Sequence, residues 1–182
     1  MNTAVLPATQ AYSIDPAHTT AEFVVRHMMI SKVRGRFAAL KGGLELPADG
    51  NVPTAVQVTV DASSIDTREQ QRDAHLRSAD FFDVERFPDL SFVSSRITGD
   101  ENAFKIEGTL TIHGVSREIT LDADFQGRAT DPWGNRRIGY EAHTTISRKD
   151  FGLAWNQALE TGGLLVGDEV RIELNVEAIA QT

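Results

Sequence analysis

Histidines and acidic side chains are the residues of this chain that could do chemistry, and their spacing limits what that chemistry could be. The chain has no cysteine, and its histidines are His18, His27, His75, His113 and His143. No two of them form an HxH or HExxH pattern, the spacings that are typical of a zinc site. We therefore expect no metal centre, and no pattern in the sequence requires another cofactor.

Asp73 and His75 form the one pairing that suggests catalysis. They lie two residues apart in a predicted helix, where each could orient the other, and Arg72 beside them could hold an anionic head group. No GxSxG motif supplies a nucleophile. Two interpretations stay open: an acid/base pair of an enzyme, or a polar network that ties the helix to the rest of the fold. We favour the second and expect no catalytic residues.

The charge of the chain argues against several classes of partner. Its 182 residues carry a formal net charge of −8, and Lys and Arg form no run. Such a surface repels the phosphate backbone of nucleic acids and, for the same reason, disfavours anionic membrane surfaces. No apolar run approaches the roughly 18–20 residues that cross a bilayer. We expect no nucleic-acid partner and no transmembrane segment.

The first eleven residues differ in composition from the rest. Residues 1–11 contain no Lys or Arg and only a short apolar stretch, so they lack the basic and apolar regions of a secretory signal. We predict a disordered leader over 1–11 and a single domain over 12–182. The expected location is the cytoplasm, or the periplasm if a leader has been removed from the chain.

Alternation of apolar and polar residues dominates the predicted domain. Every second residue is apolar in 170–178, and the segments 55–61, 104–112, 119–125 and 138–146 repeat this pattern. Such a period of two is typical of strands with one buried and one exposed face. Short turns with Gly separate several of these segments, which predicts antiparallel pairing.

One segment departs from the period of two. Residues 68–79 are rich in helix formers and lack Gly and Pro, so we predict one short helix there, capped by Asp66 or Thr67. Gly35 and Gly42 fall within or beside long strands, where glycine favours the bends that let a sheet curl closed. The pattern predicts an all-β fold, an antiparallel barrel of about eight strands with one short helical insertion.

The apolar faces of the predicted strands supply candidate ligand-binding residues. Closing the sheet would turn these faces toward one lumen, with the aromatic rings lining a ligand rather than packing on one another. The candidates are Phe23, Val25, His27, Phe37, Val58, Phe92, Leu110, Ile112, Leu121, Phe125, Tyr140, Ile146 and Leu174. Of the polar side chains, Tyr140 or His27 could bind a polar head group. The pattern does not distinguish a hollow barrel from a filled one.

Nine short motifs, in this order and at this spacing, carry a resemblance to a known family. They are YSIDPAHT (12–19), FVVRH (23–27), VRGRF (33–37), IDT (65–67), RDAHLRSADFFD (72–83), FPDLSF (87–92), GTLTIHGV (108–115), RKDFG (148–152) and VGDEV (166–170). Each motif alone has little specificity, but together they span about 12–178. On these motifs the chain resembles the YceI-like family of bacterial polyisoprenoid-binding proteins.

The resemblance implies a lipocalin-like barrel around an apolar tunnel. Such a tunnel binds a long isoprenoid, isoprenoid quinone or fatty-acyl chain, often in a homodimer, and the resemblance favours a hollow barrel. We therefore expect a non-catalytic carrier or storage protein for such a lipid. The apolar segment 153–166 suggests a dimer surface. Two other hypotheses remain. One is a lipid-modifying enzyme that uses Asp73 and His75; the other is a dimeric interaction module without a lipid, with a partner surface of Leu153, Trp155, Leu159, Leu164 and Leu165.

Overall fold

The computed structural model describes residues 8–182 of the chain. Residues 1–7, which make up most of the predicted leader, lie outside the described residues. The described part forms eleven strands and one α-helix, α1 (Gln70–Arg77). The strands are β1 (Thr9–Ile14), β2 (Thr20–His27), β3 (Ser31–Phe37), β4 (Leu40–Pro47), β5 (Ala55–Asp61), β6 (Ile65–Asp66), β7 (Asp89–Gly99), β8 (Ala103–Ile112), β9 (Val115–Thr130), β10 (Arg136–Ser147) and β11 (Val166–Ala180).

Eight of these strands close into an antiparallel barrel. Hydrogen bonding runs in the order β1, β4, β5, β7, β8, β9, β10, β11, and β1 then pairs with β11 from Tyr12↔Ala180 to Ile14↔Ala178. Because the ring is closed, none of its strands presents a free edge. This arrangement confirms the predicted all-β barrel.

The position of β1 corrects the predicted leader at its C-terminal end. β1 begins at Thr9, which pairs with Pro47 of β4, so residues 9–11 belong to the barrel. Only Tyr12 and Ile14 of this strand are buried. Residues 9–11 of β1 lack the alternation of apolar and polar residues by which the other strands were predicted, so the sequence did not indicate a strand there.

β11 is long enough to pair with two strands along the same side. Its first ten residues adjoin β2, and its last residues adjoin β1. β3 continues the sheet from β2, and β6 adds a two-residue pairing to β3. The sheet therefore extends beyond the eight-strand ring at the end of the barrel where α1 lies against β6.

The helix lies where the sequence predicted it but is two residues shorter at each end. Arg68 has a φ of 63°, in the left-handed region, so the right-handed helix cannot include it. Glu69 is the N-cap, and its carboxylate accepts hydrogen bonds from two backbone N–H groups of the first turn. The predicted caps, Asp66 and Thr67, are therefore wrong.

No helix in the described part of the chain is long and apolar enough to cross a membrane.

Glycines allow neighbouring groups to approach the sheet closely at two positions. A Cβ at Gly35 would lie 2.3 Å from the ring of Phe23, and a Cβ at Gly42 would lie 2.2 Å from the carbonyl oxygen of Gln57. Both distances are far below a normal contact. These positions therefore need a residue without a side chain.

The end of the barrel away from α1 is closed by the loop 48–54. Tyr140 Oη donates a hydrogen bond to the Asn51 carbonyl oxygen at 2.6 Å, and Arg128 Nε donates to Asn51 Oδ1 at 2.9 Å. Burial raises the pKa of Tyr140, so its hydroxyl remains a donor at neutral pH. The loop is thus anchored to two strands of the barrel wall.

A cluster of charges around Arg137 joins the chain segments at this same end. Its Nη1 lies 2.7 Å from Asp15 Oδ2 and 2.6 Å from Glu177 Oε1, and its Nε lies 2.8 Å from Asp131 Oδ2. Asp15, His18 and Glu177 are close enough to share a metal ion, but the Arg137 cation already binds two of them. The hydrogen bonds from Arg137 and then from His18 lower the pKa of Asp15 to about 2.

Replacing Arg137 with methionine should lower the free energy of unfolding at neutral pH, because the carboxylates would lose their common cation. The pKa of Asp15 in the folded state lies below its ordinary value of 3.8. Its stabilisation is therefore present above pH 3.8 and is lost as the pH falls through about 2. The difference in urea midpoint between wild type and Arg137→Met should be constant near neutral pH and shrink in acid.

Arg136→Met is the control for this measurement. Arg136 is exposed, and its guanidinium donates a hydrogen bond to Gln10 Oε1 at 2.9 Å. Its loss should change the midpoint little at any pH. An Arg137→Met effect that did not depend on pH would contradict the proposed role of the Asp15 carboxylate.

Candidate apolar ligand site

Two apolar cavities lie next to each other in the interior of the described part of the chain. The first, here called the helix-side cavity, has a volume of about 260 Å³ and lies among β2, β3, α1, β10, β11 and the segment 148–166. The second, here called the inner cavity, has a volume of about 180 Å³ and lies within the eight-strand ring. The inner cavity reaches toward the loop that closes the far end, since Pro53 is part of its wall.

The two cavities meet at a waist, a ring of residues that border both. The waist consists of Phe23, Phe37, Leu90, Ile112 and Ile172. The ring centroids of Phe23 and Phe37 are 5.7 Å apart. Both phenylalanines are half-buried, and Phe37 also packs edge-on against Phe82 with ring centroids 5.8 Å apart.

The structure brings twelve of the thirteen candidate ligand-binding residues to a cavity wall. At the waist lie Phe23, Phe37 and Ile112; on the helix-side cavity lie Val25, His27 and Ile146; on the inner cavity lie Val58, Phe92, Leu110, Leu121, Tyr140 and Leu174. Phe125 borders neither cavity. The pairing of β9 with β10 shifts register between Gly139 and Tyr140, and Phe125 packs against the Tyr140 ring at 6.0 Å.

The aromatic rings also pack on one another, contrary to our expectation that they would only line a lumen. Besides the Phe23–Phe37 contact, Phe104 lies edge-on to Tyr140 with centroids 5.8 Å apart. Phe92 lies over Gly108, whose missing side chain leaves room for the ring. The inner cavity is therefore smaller than the lumen of a barrel whose rings all point freely inward.

The polar groups of the cavities are concentrated at the helix side, and those that carry charge there are cationic. The polar side chains of the helix-side wall are Arg26, His27, Thr67, Arg72, His75 and Arg148. No carboxylate of the described residues lines this cavity. A neutral polar or anionic head group would therefore suit this end better than a cationic one.

Several of these wall residues could not be identified from sequence periodicity. Arg26 lies on the outward phase of β2, and Leu76 lies on α1, which has no apolar stripe. Phe81 and Phe82 follow the helix in a turn. The available signal was their position in the family motifs, 23–27 for Arg26 and 72–83 for Leu76, Phe81 and Phe82.

Asp73 and His75 do not contact each other as the acid/base hypothesis required. Asp73 Oδ1 accepts hydrogen bonds from Thr67 N–H at 2.9 Å and from Thr67 Oγ1 at 2.5 Å. His75 Nε2 instead lies 2.8 Å from Asp80 Oδ2. Arg72 donates to Thr67 Oγ1 and to its carbonyl oxygen at 2.7 and 2.8 Å. The predicted mutual orientation is wrong, and these contacts fit the polar network that ties the helix to β6.

Comparison with known proteins identifies the family of this barrel. The family model described as the YceI-like domain matches residues 12–178. The chain belongs to the YceI-like family. A UPF0312 protein of Staphylococcus aureus strain N315 is 36% identical over 167 residues, which cover 91% of this chain and 95% of that protein.

Solved structures of similar proteins have the same fold. A YceI protein of Campylobacter jejuni superposes with a TM-score of 0.75 at 32% identity, covering 86% of this chain and 90% of that one. BcnA of Burkholderia cenocepacia gives 0.77 at 22% identity, with 90% and 98% covered. A polyisoprenoid binding domain from Saccharophagus degradans gives 0.70 at 18% identity, with 94% and 99% covered.

The segment 152–165 of this YceI-like chain covers the helix-side cavity, and we call it the covering segment. Leu153 is buried, and Trp155 and Leu165 also form part of the cavity wall. The Trp155 ring lies 4.7 Å from the His75 ring of α1. Most of the apolar side chains predicted to form a partner surface therefore face inward, and Leu164 is the exposed one.

Arg148 holds the covering segment against the barrel. It is only 4% exposed, and its guanidinium donates hydrogen bonds to the carbonyl oxygens of Gly167, Leu153 and Trp155 at 2.8, 2.6 and 2.8 Å. Burial lowers the pKa of Arg148, whereas the nearby Asp168 carboxylate raises it. The Arg148 guanidinium thus holds both ends of the covering segment.

Replacing Arg148 with methionine should destabilise the protein by about 3 kcal/mol, because several carbonyl oxygens would lose their donor in a buried place. Urea unfolding measures this loss. Asp168→Asn is the matched control: Asp168 is 40% exposed and lies 3.4 Å from the guanidinium, so its neutralisation should cost well under 1 kcal/mol. Equal losses in the two variants would show that the ion pair, rather than the carbonyl contacts, holds the segment.

Proposed function

We propose that this YceI-like protein binds one long apolar lipid, an isoprenoid, an isoprenoid quinone or a fatty-acyl chain, along both cavities. The observation that carries the proposal is the waist, whose five residues border both cavities. A narrow, chain-like molecule is the shape that can occupy two chambers joined in this way. The Saccharophagus domain, a polyisoprenoid binding domain, supports the same class of ligand.

The volume and lining of the cavities support an apolar ligand. Together the cavities exceed the roughly 300 Å³ at which ligand pockets begin. Burying each CH₂ group is worth roughly 0.8 kcal/mol. A chain of about fifteen buried carbons would gain roughly 12 kcal/mol, which leaves micromolar affinity after about 4 kcal/mol of immobilisation cost.

The head group of this ligand would lie in the helix-side cavity. His27 borders that cavity, and its imidazole makes no hydrogen bond to another described residue, so the ring is available to a ligand. Arg26, on the same wall, is exposed, so the cavity reaches the surface beside it. Tyr140, the other predicted head-group partner, already donates its hydroxyl proton to Asn51. The tail would then extend through the waist toward Tyr140.

The proposal makes the protein a non-catalytic carrier or storage protein. Asp73 and His75 are engaged in contacts that hold the helix, and most of the residues that line the two cavities are apolar. The expected homodimer and the cytoplasmic location remain predictions. Sedimentation velocity at high concentration tests the dimer, and fractionation of the source cells tests the location.

Filling the helix-side cavity should abolish lipid binding. Val25→Trp places an indole where the head group would lie, and the lipid recovered per protein should fall at least about tenfold. Mass spectrometry of an organic extract measures the lipid. Val24→Trp is the control, because Val24 pairs with Arg34 and Arg171 on the opposite face of the same strand.

The control variant should retain the lipid of the wild type, and both variants should keep the wild-type circular dichroism spectrum. Equal recovery of lipid from Val25→Trp and Val24→Trp would contradict the helix-side site. An extract of the wild type with no long-chain lipid, together with no binding of an added isoprenoid, would contradict the proposed function itself.

Filling the inner cavity should instead shorten the lipid that is bound. Leu174 borders only the inner cavity, so Leu174→Trp should leave the head-group site intact and remove room for the end of the tail. The mass distribution of the extracted lipids should shift to shorter chains while their total amount changes less than threefold, roughly. Unchanged chain lengths would show that the tail does not pass the waist.

A further inference from the structure

The turn between β2 and β3 exposes apolar side chains that no structural role explains. Met28, Met29 and Ile30 form this turn and are 39%, 59% and 81% exposed. Together they make a tip that projects three consecutive apolar residues into solvent. Isolated exposed apolar residues are common, but a contiguous group at a protruding turn marks an interaction site.

The backbone of the tip is also poorly suited to its residues. Met28 and Met29 have φ values of 50° and 63°, and the Ile30 N–H donates to the His27 carbonyl oxygen at 3.2 Å. Two positive φ values in succession are typical of a type I′ turn, which favours Asn and Gly. Methionine at both positions costs stability, so the side chains are present for a reason other than folding.

A pair of cations flanks the apolar tip. Arg26 of β2 and Lys32 of β3 lie directly opposite each other, and both are exposed. Like charges at opposed positions destabilise a strand pair. Neither side chain forms an ion pair with a carboxylate of the described residues. The tip is therefore an exposed apolar turn flanked by two cationic side chains.

This tip stands at the rim of the helix-side cavity. Arg26 and His27 line the cavity, and the Met28 N–H donates to the Leu165 carbonyl oxygen of the covering segment at 2.8 Å. Leu164, 40% exposed, lies next to that carbonyl and adds to the apolar surface. The surface is thus continuous with the place where a ligand would enter.

We propose that the β2–β3 tip inserts into an anionic lipid surface and holds the rim of the helix-side cavity against it. The apolar residues would enter the boundary between head groups and acyl chains, and Arg26 and Lys32 would bind the anionic head groups. The purpose of this docking, the exchange of a lipid with a membrane, rests on the proposed function. The docking itself can be measured with or without a bound lipid.

The local charge, rather than the net charge, decides this interaction. The chain carries a net charge of −8, from which we expected repulsion by anionic membranes. Screening limits such repulsion to about 8–10 Å at physiological salt, so Arg26 and Lys32 act on a lipid surface before the carboxylates that lie farther from it than this distance. Glu160 is the one acidic residue of the covering segment. The tip itself contains no acidic residue.

Vesicle co-sedimentation of the full chain tests the docking. The probes are vesicles of phosphatidylcholine alone and of phosphatidylcholine with phosphatidylglycerol. The wild type should bind the second kind and lose that binding as salt is raised. Lys32→Gln should weaken it about fivefold, and Ile30→Ser at least about tenfold. Neither residue lines a cavity, so lipid extracted from the two variants should match that of the wild type.

Trp133→Ser is the matched control. Trp133 is as exposed as Ile30, at 81%, and lies in the β9–β10 turn at the other end of the barrel, beside the ion-paired Arg137. Its replacement should leave vesicle binding unchanged, and an equal loss in Trp133→Ser would overturn the assignment to the β2–β3 tip.

Two other results would overturn the proposal. The first is wild-type protein that carries lipid but does not sediment with anionic vesicles. The second is wild-type protein that sediments as a dimer and becomes monomeric on Ile30→Ser, because the tip would then be a protein interface. A wild type that binds anionic vesicles yet yields no lipid and binds none would uphold the docking and refute the proposed function.

Discussion

Pairing of β1 with β11 closes the barrel, and the rest of the structure depends on this closure. An open sheet must cover its apolar face with another layer, whereas a closed one satisfies its strand edges and encloses its own inner face. The eight strands can therefore hold their shape through backbone hydrogen bonds while part of the lumen stays unpacked. Arg137 and the loop anchored by Tyr140 reinforce the far end, so the entrance of the proposed ligand site lies at the end beneath α1.

β11 connects the closed ring to the part of the molecule that surrounds the site entrance. One half of this strand completes the ring with β1, and the other half carries β2 and β3 toward the helix. The ring and the entrance are thus built on one continuous strand. The walls of the helix-side cavity consequently combine a rigid sheet with a helix and a covering segment held by side chains such as Arg148.

Charged side chains are paired differently at the two ends of the molecule. At the closed end, Arg137 is surrounded by carboxylates that match it. At the entrance, Arg148 is satisfied mainly by carbonyl oxygens, and Arg26 and Lys32 face solvent without an acidic partner in the described structure. Ion pairs stabilise the closed end. At the entrance end, Arg26 and Lys32 remain available to the proposed ligand or lipid surface.

The sequence by itself determined the all-β class, the helix near residue 70 and the inward face of most strands, because a period of two fixes which side chains share a face. Leu174 and Phe92 could be assigned to the lumen for that reason. Tertiary structure alone decided that Phe125 packs on Tyr140 and does not border a cavity, since this contact is set by pairing between β9 and β10. It also decided that Trp155 and α1 cover a cavity, because contacts between elements far apart in the chain leave no local period in the sequence.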